Sequence, residues 1–381
     1  MRIALNGWFL AHHPHTGTGR YLHALLTHLP LVAPQHEYWV VVPGSKALQP
    51  LPDSIRVQRV ACGSGHLQKI WFEQNLFPAA CRALKADVAH VPHWGPPLSS
   101  PAPLVVTIHD VIPLVLPEYR GGWQVRAYTA LATAASKGAS LVLADSEASR
   151  RDILKHLELA EDSVRTVYLA TGPEYTSRFD PSADDAARAR YGLPEAYVLY
   201  LGGFDTRKNV RALLAAWTWA GSAIGESYPL VLAGALPKPN GRLFADYRAL
   251  VQAHDIADSV KFVGAIEEAD KPALYRGAAA FVYPSAYEGF GLPPLEAMAA
   301  GTPVITSNVS SLPEVVGDAA VLIDPHDAGA LAHAMARVIG DPGLRADLVA
   351  RGHQRVQAFS WQRSVARVRE VYEELAGPRR G

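Results

Sequence analysis

Short runs of apolar and β-branched residues alternate along the whole chain with longer stretches whose apolar positions recur every three or four residues. In the first half the short runs predict strands at Ile3–Asn6, Tyr38–Val42, Arg56–Val60, Val88–Val91, Leu104–Ile108, Leu141–Ala144 and Thr166–Leu169. In the second half they fall at Tyr197–Leu201, Leu230–Ala233, Val260–Val263, Ala280–Tyr283, Pro303–Thr306 and Ala320–Ile323. The longer spacing predicts helices over Gly19–Leu29, Leu67–Ala86, Arg120–Lys137, Ser146–His156, Asn209–Ala220 and Leu292–Ala300. A last amphipathic helix, Ser360–Leu375, sets Trp361, Val365, Val368 and Tyr372 on one face. Strand–helix–strand alternation implies parallel sheets with helices on both faces.

Two such series place the chain in the α/β class, as two Rossmann-like, doubly wound domains that offer ligands the carboxyl ends of their strands. The change-over falls in Ala170–Pro194, where Gly172, Pro173, Pro181, Ser182 and adjacent aspartates read as a linker. The expected organisation is a first domain over 1–172, a linker over 173–194, a second domain over 195–358, and a terminal helical segment over 359–381 with a face open to packing on either domain, the first being the candidate.

Bulk composition narrows the function classes. A length of 381 residues exceeds what one core organises, and 49% hydrophobic with 19% charged residues is ordinary globular material. The 36 basic residues match the 36 acidic ones, so nothing advertises the concentrated cationic face that nucleic acid requires. Cys62 and Cys81 are too few for a disulfide framework and lack zinc-site spacing, which favours a reducing, cytoplasmic setting. The opening MRIALNGWFLAHHP reads as a first strand rather than a signal peptide, and no apolar run approaches the ~18 residues of a membrane span.

The most informative window runs from Tyr283 through Glu288-Gly-Phe-Gly-Leu-Pro-Pro-Leu-Glu296 to Gly301-Thr-Pro-Val. A buried strand ends at Tyr283, a loop with Gly289 and Gly291 follows, and Pro293-Pro294 marks the first turn of a helix. Glycines ahead of a helix N-terminus let the backbone approach an anion closely, and a diphosphate is the natural guest. Glu296, expected in the first helical turn, is placed to accept hydrogen bonds from ribose hydroxyls, and Glu288 to meet a sugar carried by the diphosphate. A second site follows another strand in Leu201-Gly-Gly-Phe-Asp205-Thr-Arg207-Lys208-Asn209, where paired cations would neutralise a departing diphosphate.

The Glu288–Glu296 window resembles the acid–seven residues–acid motif of the retaining glycosyltransferases of family 4, which have the GT-B fold. The likeness extends upstream through Phe262-Val-Gly264 and downstream through Ser307-Asn-Val-Ser-Ser-Leu-Pro-Glu314, the latter resembling bacterial mannosyltransferases of polysaccharide and O-antigen assembly. It implies two domains facing across a cleft, with the first on the acceptor side. It further implies that Glu288 binds sugar hydroxyls, that the backbone of Phe290, Gly291 and Leu292 holds sugar and diphosphate, that Glu296 binds ribose, and that Lys208 contacts the diphosphate. Many members carry an arginine where this chain has Gly203; Arg207 is the candidate to supply that charge. In the first half, His15-Thr-Gly17-Thr-Gly19-Arg20 resembles the family's glycine loop. Gly17 and Gly19 then fall on the donor side, and Arg20 on the acceptor side. His109-Asp110, ending a strand, matches the family's His-Asp, whose histidine lies beside the reacting sugar. His93, Trp94 and Asp110 are further acceptor-side candidates.

The expected partners are a nucleotide-sugar donor, GDP-mannose favoured, and a glycan or lipid-linked acceptor. No cofactor or metal is expected, and His12, His13 and His15 read as solvated loop residues without an accompanying carboxylate. The segment Lys69–Lys85 interleaves Trp71, Phe72, Leu76 and Phe77 with Lys69, Arg82 and Lys85, a pattern for a core-facing amphipathic helix with solvated lysines and, as the alternative, for salt-sensitive attachment to the inner membrane face. Trp8 and Phe9 are further residues expected to meet the acceptor. Rival readings are a sugar phosphorylase or nucleotide-sugar epimerase on the same fold, a non-catalytic nucleotide-sugar sensor, and a dehydrogenase. The last lacks the G-x-G-x-x-G fingerprint.

Overall fold

The computed structural model describes residues 1–176 and 180–377. Two compact units account for the chain: residues 1–169 together with the terminal segment from Ser360, and residues 170–359. The stretches expected as linker and terminal segment therefore include residues 177–179 and 378–381, which lie outside the described residues.

In the first unit seven strands form one parallel sheet: β1 (Arg2–Asn6), β2 (Glu37–Pro43), β3 (Ile55–Val60), β4 (Val88–Val91), β5 (Leu104–Ile108), β6 (Leu141–Ala144) and β7 (Val164–Thr166). Their order is β3-β2-β1-β4-β5-β6-β7. The central strands VAHV, LVVTI and LVLA are buried at every position, as helices on both faces demand, whereas the edge strand β3 is largely exposed. Polar side chains are buried inside this core as well, Asn6, His90 and Thr107 among them. His90 of β4 is fully buried, 2.6 Å from the Tyr372 hydroxyl and 2.8 Å from that of Thr107. Tyr372 belongs to the terminal helix Trp361–Ala376, whose apolar stripe of Trp361, Val365, Val368 and Tyr372 is buried in this unit against the helix Gly17–Val32.

The second unit holds β8 (Tyr197–Leu201), β9 (Leu230–Ala233), β10 (Val260–Gly264), β11 (Ala278–Tyr283), β12 (Val304–Ser307) and β13 (Ala320–Ile323). Their parallel order β10-β9-β8-β11-β12-β13 is that of a Rossmann sheet, with the strand order reversing between β8 and β11. Ligands of such sheets collect at the carboxyl ends of the two strands flanking the reversal. Residues 181–190, inside the stretch read as linker, form a helix. Asp180 caps it, Pro181 takes its first position, and a two-pronged Asp184–Arg276 ion pair fastens it to the helix Lys271–Gly277.

Three local expectations in the first unit change. Residues Trp8–His12 form a short helix, and Trp8 is buried rather than presented to a ligand. His12 packs against Trp8 with ring centres 4.4 Å apart and planes tilted by 42°, so it is not a solvated loop residue. In the helical segment His66–Leu84, Phe72 and Phe77 are fully buried core residues, leaving Trp71 as the exposed aromatic. Lys69 turns inward to Glu73, 2.9 Å away. The aromatic stripe thus faces protein, the ordinary outcome for an amphipathic helix on a sheet. No helix among the described residues is long and apolar enough to cross a membrane.

Candidate active site

At the reversal point of the second sheet, two loops leave neighbouring strands on the same edge. β8 runs through Gly202-Gly203 into the turn Thr206–Lys208, and Asn209, with φ +57°, opens the helix Val210–Ile224. The Asn209 amide donates to the carbonyls of Pro284 (3.1 Å) and Pro325 (2.7 Å), clasping this turn to the loop after β11. The clasp brings Arg207 and Lys208 onto Glu288, 80 positions along the chain.

Glu288 is held on both oxygens. Its Oε1 accepts from Lys208 Nζ (2.7 Å), Ser285 Oγ (2.6 Å) and Tyr283 Oη (3.0 Å), and its Oε2 lies 2.9 Å from Arg207 Nη1. Burial works to raise the Glu288 pKa, but the two cations and these hydrogen bonds outweigh it and hold the carboxyl at about 2. The site therefore carries a fixed carboxylate. Burial and the like charge of Arg207 pull the Lys208 pKa below the ordinary lysine value, against the attraction of Glu288. The ammonium also bonds the Tyr283 hydroxyl and sits 4.9 Å from the centre of that ring.

The loop from Glu288 to Gly291 is pinned from below by serines. Ser310 and Ser311 donate to the Glu288 carbonyl, and Ser311 also donates to that of Phe290 (2.6 Å). This gives the Ser307–Ser311 run a structural reason. Gly291 adopts φ +113°, a conformation glycine alone takes without strain, and caps the helix Leu292–Ala299. Pro293 and Pro294 have no N–H, so Gly291 and Leu292 supply the donors that this helix start presents to an anion. Glu296 is the fifth residue of that helix, in its second turn rather than its first, and is buried with Tyr275 Oη donating to Oε2 at 3.1 Å.

The other candidates lie in the first unit. Gly17 begins the helix Gly17–Val32, and the Thr16 hydroxyl caps it by accepting from the Gly19 N–H (3.3 Å). A Cβ on Gly17 would meet nothing within 4 Å, whereas one on Gly19 would lie 2.4 Å from the His13 carbonyl oxygen. Gly19 is a packing glycine, and Gly17 leaves open space at a helix start. Arg20 follows one turn into the helix, and Tyr21 turns inward, its ring edge-on to His109 at 5.0 Å.

His109 leaves the end of β5 and its Nδ1 bonds Asp145 Oδ2 at 2.7 Å. A carboxylate accepts only, so Nδ1 carries the proton and Nε2 is directed away from Asp145. Burial lowers the His109 pKa, but Asp145, through charge and hydrogen bond, and then Asp110 raise it above the ordinary histidine value. Asp145 escaped the sequence reading. The adjacent acid Asp110 accepts from the Ile112 N–H (3.1 Å), an Asx turn that leads into Ile112–Val115. The β5–β6 pairing sets Ile108 against Ala144 and hence His109 beside Asp145. A strand ending in an acid was the available signal, but only strand order makes the two neighbours. His93 follows β4 and donates from Nε2 to Glu73 Oε1 (2.7 Å), a fully buried carboxylate in a π-helical turn at Phe72–Leu76. Trp94 packs on the same core.

Comparison with known proteins agrees with this geometry. The family model described as "Glycosyl transferases group 1" matches residues 184–355, and that of "Glycosyltransferase Family 4" matches 15–174. The chain is 32% identical over 376 residues to O-antigen chain mannosyltransferase B of Escherichia coli, covering 95% of this chain and 97% of that one. A serotype-specific mannosyltransferase, WbdA, of Escherichia coli is 32% identical over 262 residues, 68% of this chain and 32% of that protein. Among solved structures, a sucrose-phosphate synthase from Thermosynechococcus elongatus superposes with a TM-score of 0.76 at 25% identity, covering 98% of this chain and 99% of that chain. Near-complete coverage at this identity, with two Rossmann sheets and both halves matched, makes the chain a member of the GT-B glycosyltransferases of group 1 and family 4.

Proposed function

We propose that the chain transfers mannose from GDP-mannose to a hydroxyl of a glycan or lipid-linked saccharide, with retention at the anomeric carbon. The observation that carries the reading is the convergence of Arg207 and Lys208 on an ionised Glu288, in the loop that leads through Gly291 into the helix start at Leu292. Cations and a helix start suit the diphosphate, a fixed carboxylate suits sugar hydroxyls, and Glu296 suits ribose. The choice of mannose follows the mannosyltransferase relatives, and an O-antigen-type acceptor follows the same relatives. A lipid-linked acceptor would bring the chain to the inner membrane face, where exposed Leu67, Trp71 and Trp123 offer weak apolar contact.

Glu288 is committed to four partners, which suits a ligand of the sugar better than a nucleophile that must detach and attack. We therefore favour substitution on one face of the sugar. The acceptor oxygen bonds to the anomeric carbon as the carbon–oxygen bond to the diphosphate breaks, and the acceptor proton passes to the departing diphosphate. Lys208, Arg207 and the helix start stabilise the charge that develops there. This arrangement supplies the positive charge without a metal, so excess chelator should leave turnover intact. The test is proton NMR of the full chain with a panel of nucleotide sugars and a mannosyl acceptor. Consumption of GDP-mannose with an α-linked product supports the reading. Turnover of uridine sugars alone would reject the donor, and a β-linked product would reject retention.

A further inference from the structure

Outside the groups assigned so far, the first unit contains a basic pocket. The helix Trp123–Ser136 turns Arg126, Thr129 and Thr133 to one side, the spacing of a single helical face. Pro113, Arg120 and His156, the last in the final turn of the helix Glu147–Leu157, complete the wall of a cavity of about 310 Å³. Thr129 and Thr133 are half-buried and Arg120 and Arg126 exposed, with Leu114 and Ala130 between them, so the space opens to solvent. No carboxylate lines it. Among the described residues, neither guanidinium makes a side-chain hydrogen bond or an ion pair. Elsewhere in the unit Arg2 and Arg165 are paired with acids.

Two guanidinium groups, an imidazole and two hydroxyls converging without a carboxylate form a set of donors for an oxyanion. Their number and the forked geometry of arginine suit a tetrahedral phosphate. Position adds the second argument. Pro113 is four residues beyond His109, so the pocket wall lies within roughly 14 Å of that histidine by the reach of the chain. We propose that this pocket binds the phosphate of a phosphorylated acceptor, either a lipid-linked saccharide or a soluble sugar phosphate. The proposal rests on the glycosyl-transfer reading and names the acceptor class. An acceptor anchored there by its phosphate would extend its saccharide hydroxyl towards His109.

Calorimetric titration of the full chain with inorganic phosphate, in saturating GDP to occupy the donor site, tests the pocket. Wild type should bind phosphate, and Arg126→Gln should weaken binding about tenfold or more, the loss of one charge-assisted hydrogen bond. The double variant Arg120→Gln/Arg126→Gln should abolish it, and Lys208→Ala should leave it unchanged. Thr129→Val, close to isosteric, should weaken binding severalfold with the melting temperature preserved. Equal affinity in wild type and the double variant, or no binding by wild type, overturns the proposal. Failure of GDP to bind would count instead against the donor site, and the phosphate titration would still read the pocket. Glucose 1-phosphate and vesicles containing phosphatidic acid, set against neutral phosphatidylcholine vesicles, separate the sources. Arg126-dependent binding to either supports the pocket and assigns its source, and binding to neither overturns it as an acceptor site.

Discussion

His109 and Asp145 close a 2.7 Å hydrogen bond between the ends of adjacent strands, and this bond fixes which imidazole nitrogen carries the proton. Asp145→Asn keeps the shape but removes the charge that raises the His109 pKa. We expect the His109 titration, followed by NMR, to move to lower pH in this variant, with turnover falling about 100-fold or more. An unmoved titration would show that Asp145 does not act through the histidine.

A pH dependence of stability follows from His90. Burial, and then the like charges of His93 and His109, depress its pKa from 6.5 to about 3. In the unfolded chain it gains a proton below about pH 6.5, and in the fold it stays neutral, so stability is full above that pH and declines as pH falls towards 3. The full contribution is on the order of 5 kcal/mol. His90→Gln should flatten the rise of the urea midpoint between pH 4 and 6.5. Identical slopes in the two proteins would contradict the assignment.

The glycine loop offers opposite outcomes two residues apart. Gly19→Ala drives a Cβ to 2.4 Å from the His13 carbonyl, a backbone clash that outweighs the roughly 1 kcal/mol alanine gains in a helix. Thermal unfolding should show a loss of about 1–3 kcal/mol. Gly17→Ala meets no neighbour, so stability should hold or rise slightly while donor turnover falls. A Gly17→Ala protein with wild-type turnover would remove Gly17 from the donor site.

Glu296→Gln keeps the volume beneath Tyr275 and removes the charge. Calorimetry should show GDP binding weakened by about 1–3 kcal/mol, the range for a hydrogen bond to a charged group, with pyrophosphate affinity unchanged. Equal losses for both ligands would place Glu296 on the phosphates rather than the ribose.

The loop and helix start around Glu288 were legible in sequence because their signals are local. Glu288, the glycines and the prolines share one loop and one helix start, and loop–helix punctuation is readable from order alone. What failed depended on strand order or on which side of a helix meets the sheet. Asp145 becomes the partner of His109 only once β5 and β6 are neighbours. Phe72 and Phe77 fit a core-facing helix and a lipid-facing stripe alike in periodicity, and only the sheet beneath them selects the core-facing one. The Asp180-Pro181 start of the helix over 181–190 was a readable cap and first-turn signal, hidden by its linker-like composition.

The central claim is that Lys208 stabilises charge on a departing nucleoside diphosphate, and it is tested by the kinetics of Lys208→Ala with GDP-mannose. The kcat should fall about 100- to 1,000-fold, the range for removing a group aimed at developing charge, while GDP-mannose affinity changes far less. A variant that turns over at the wild-type rate, with only its KM raised, would contradict the account.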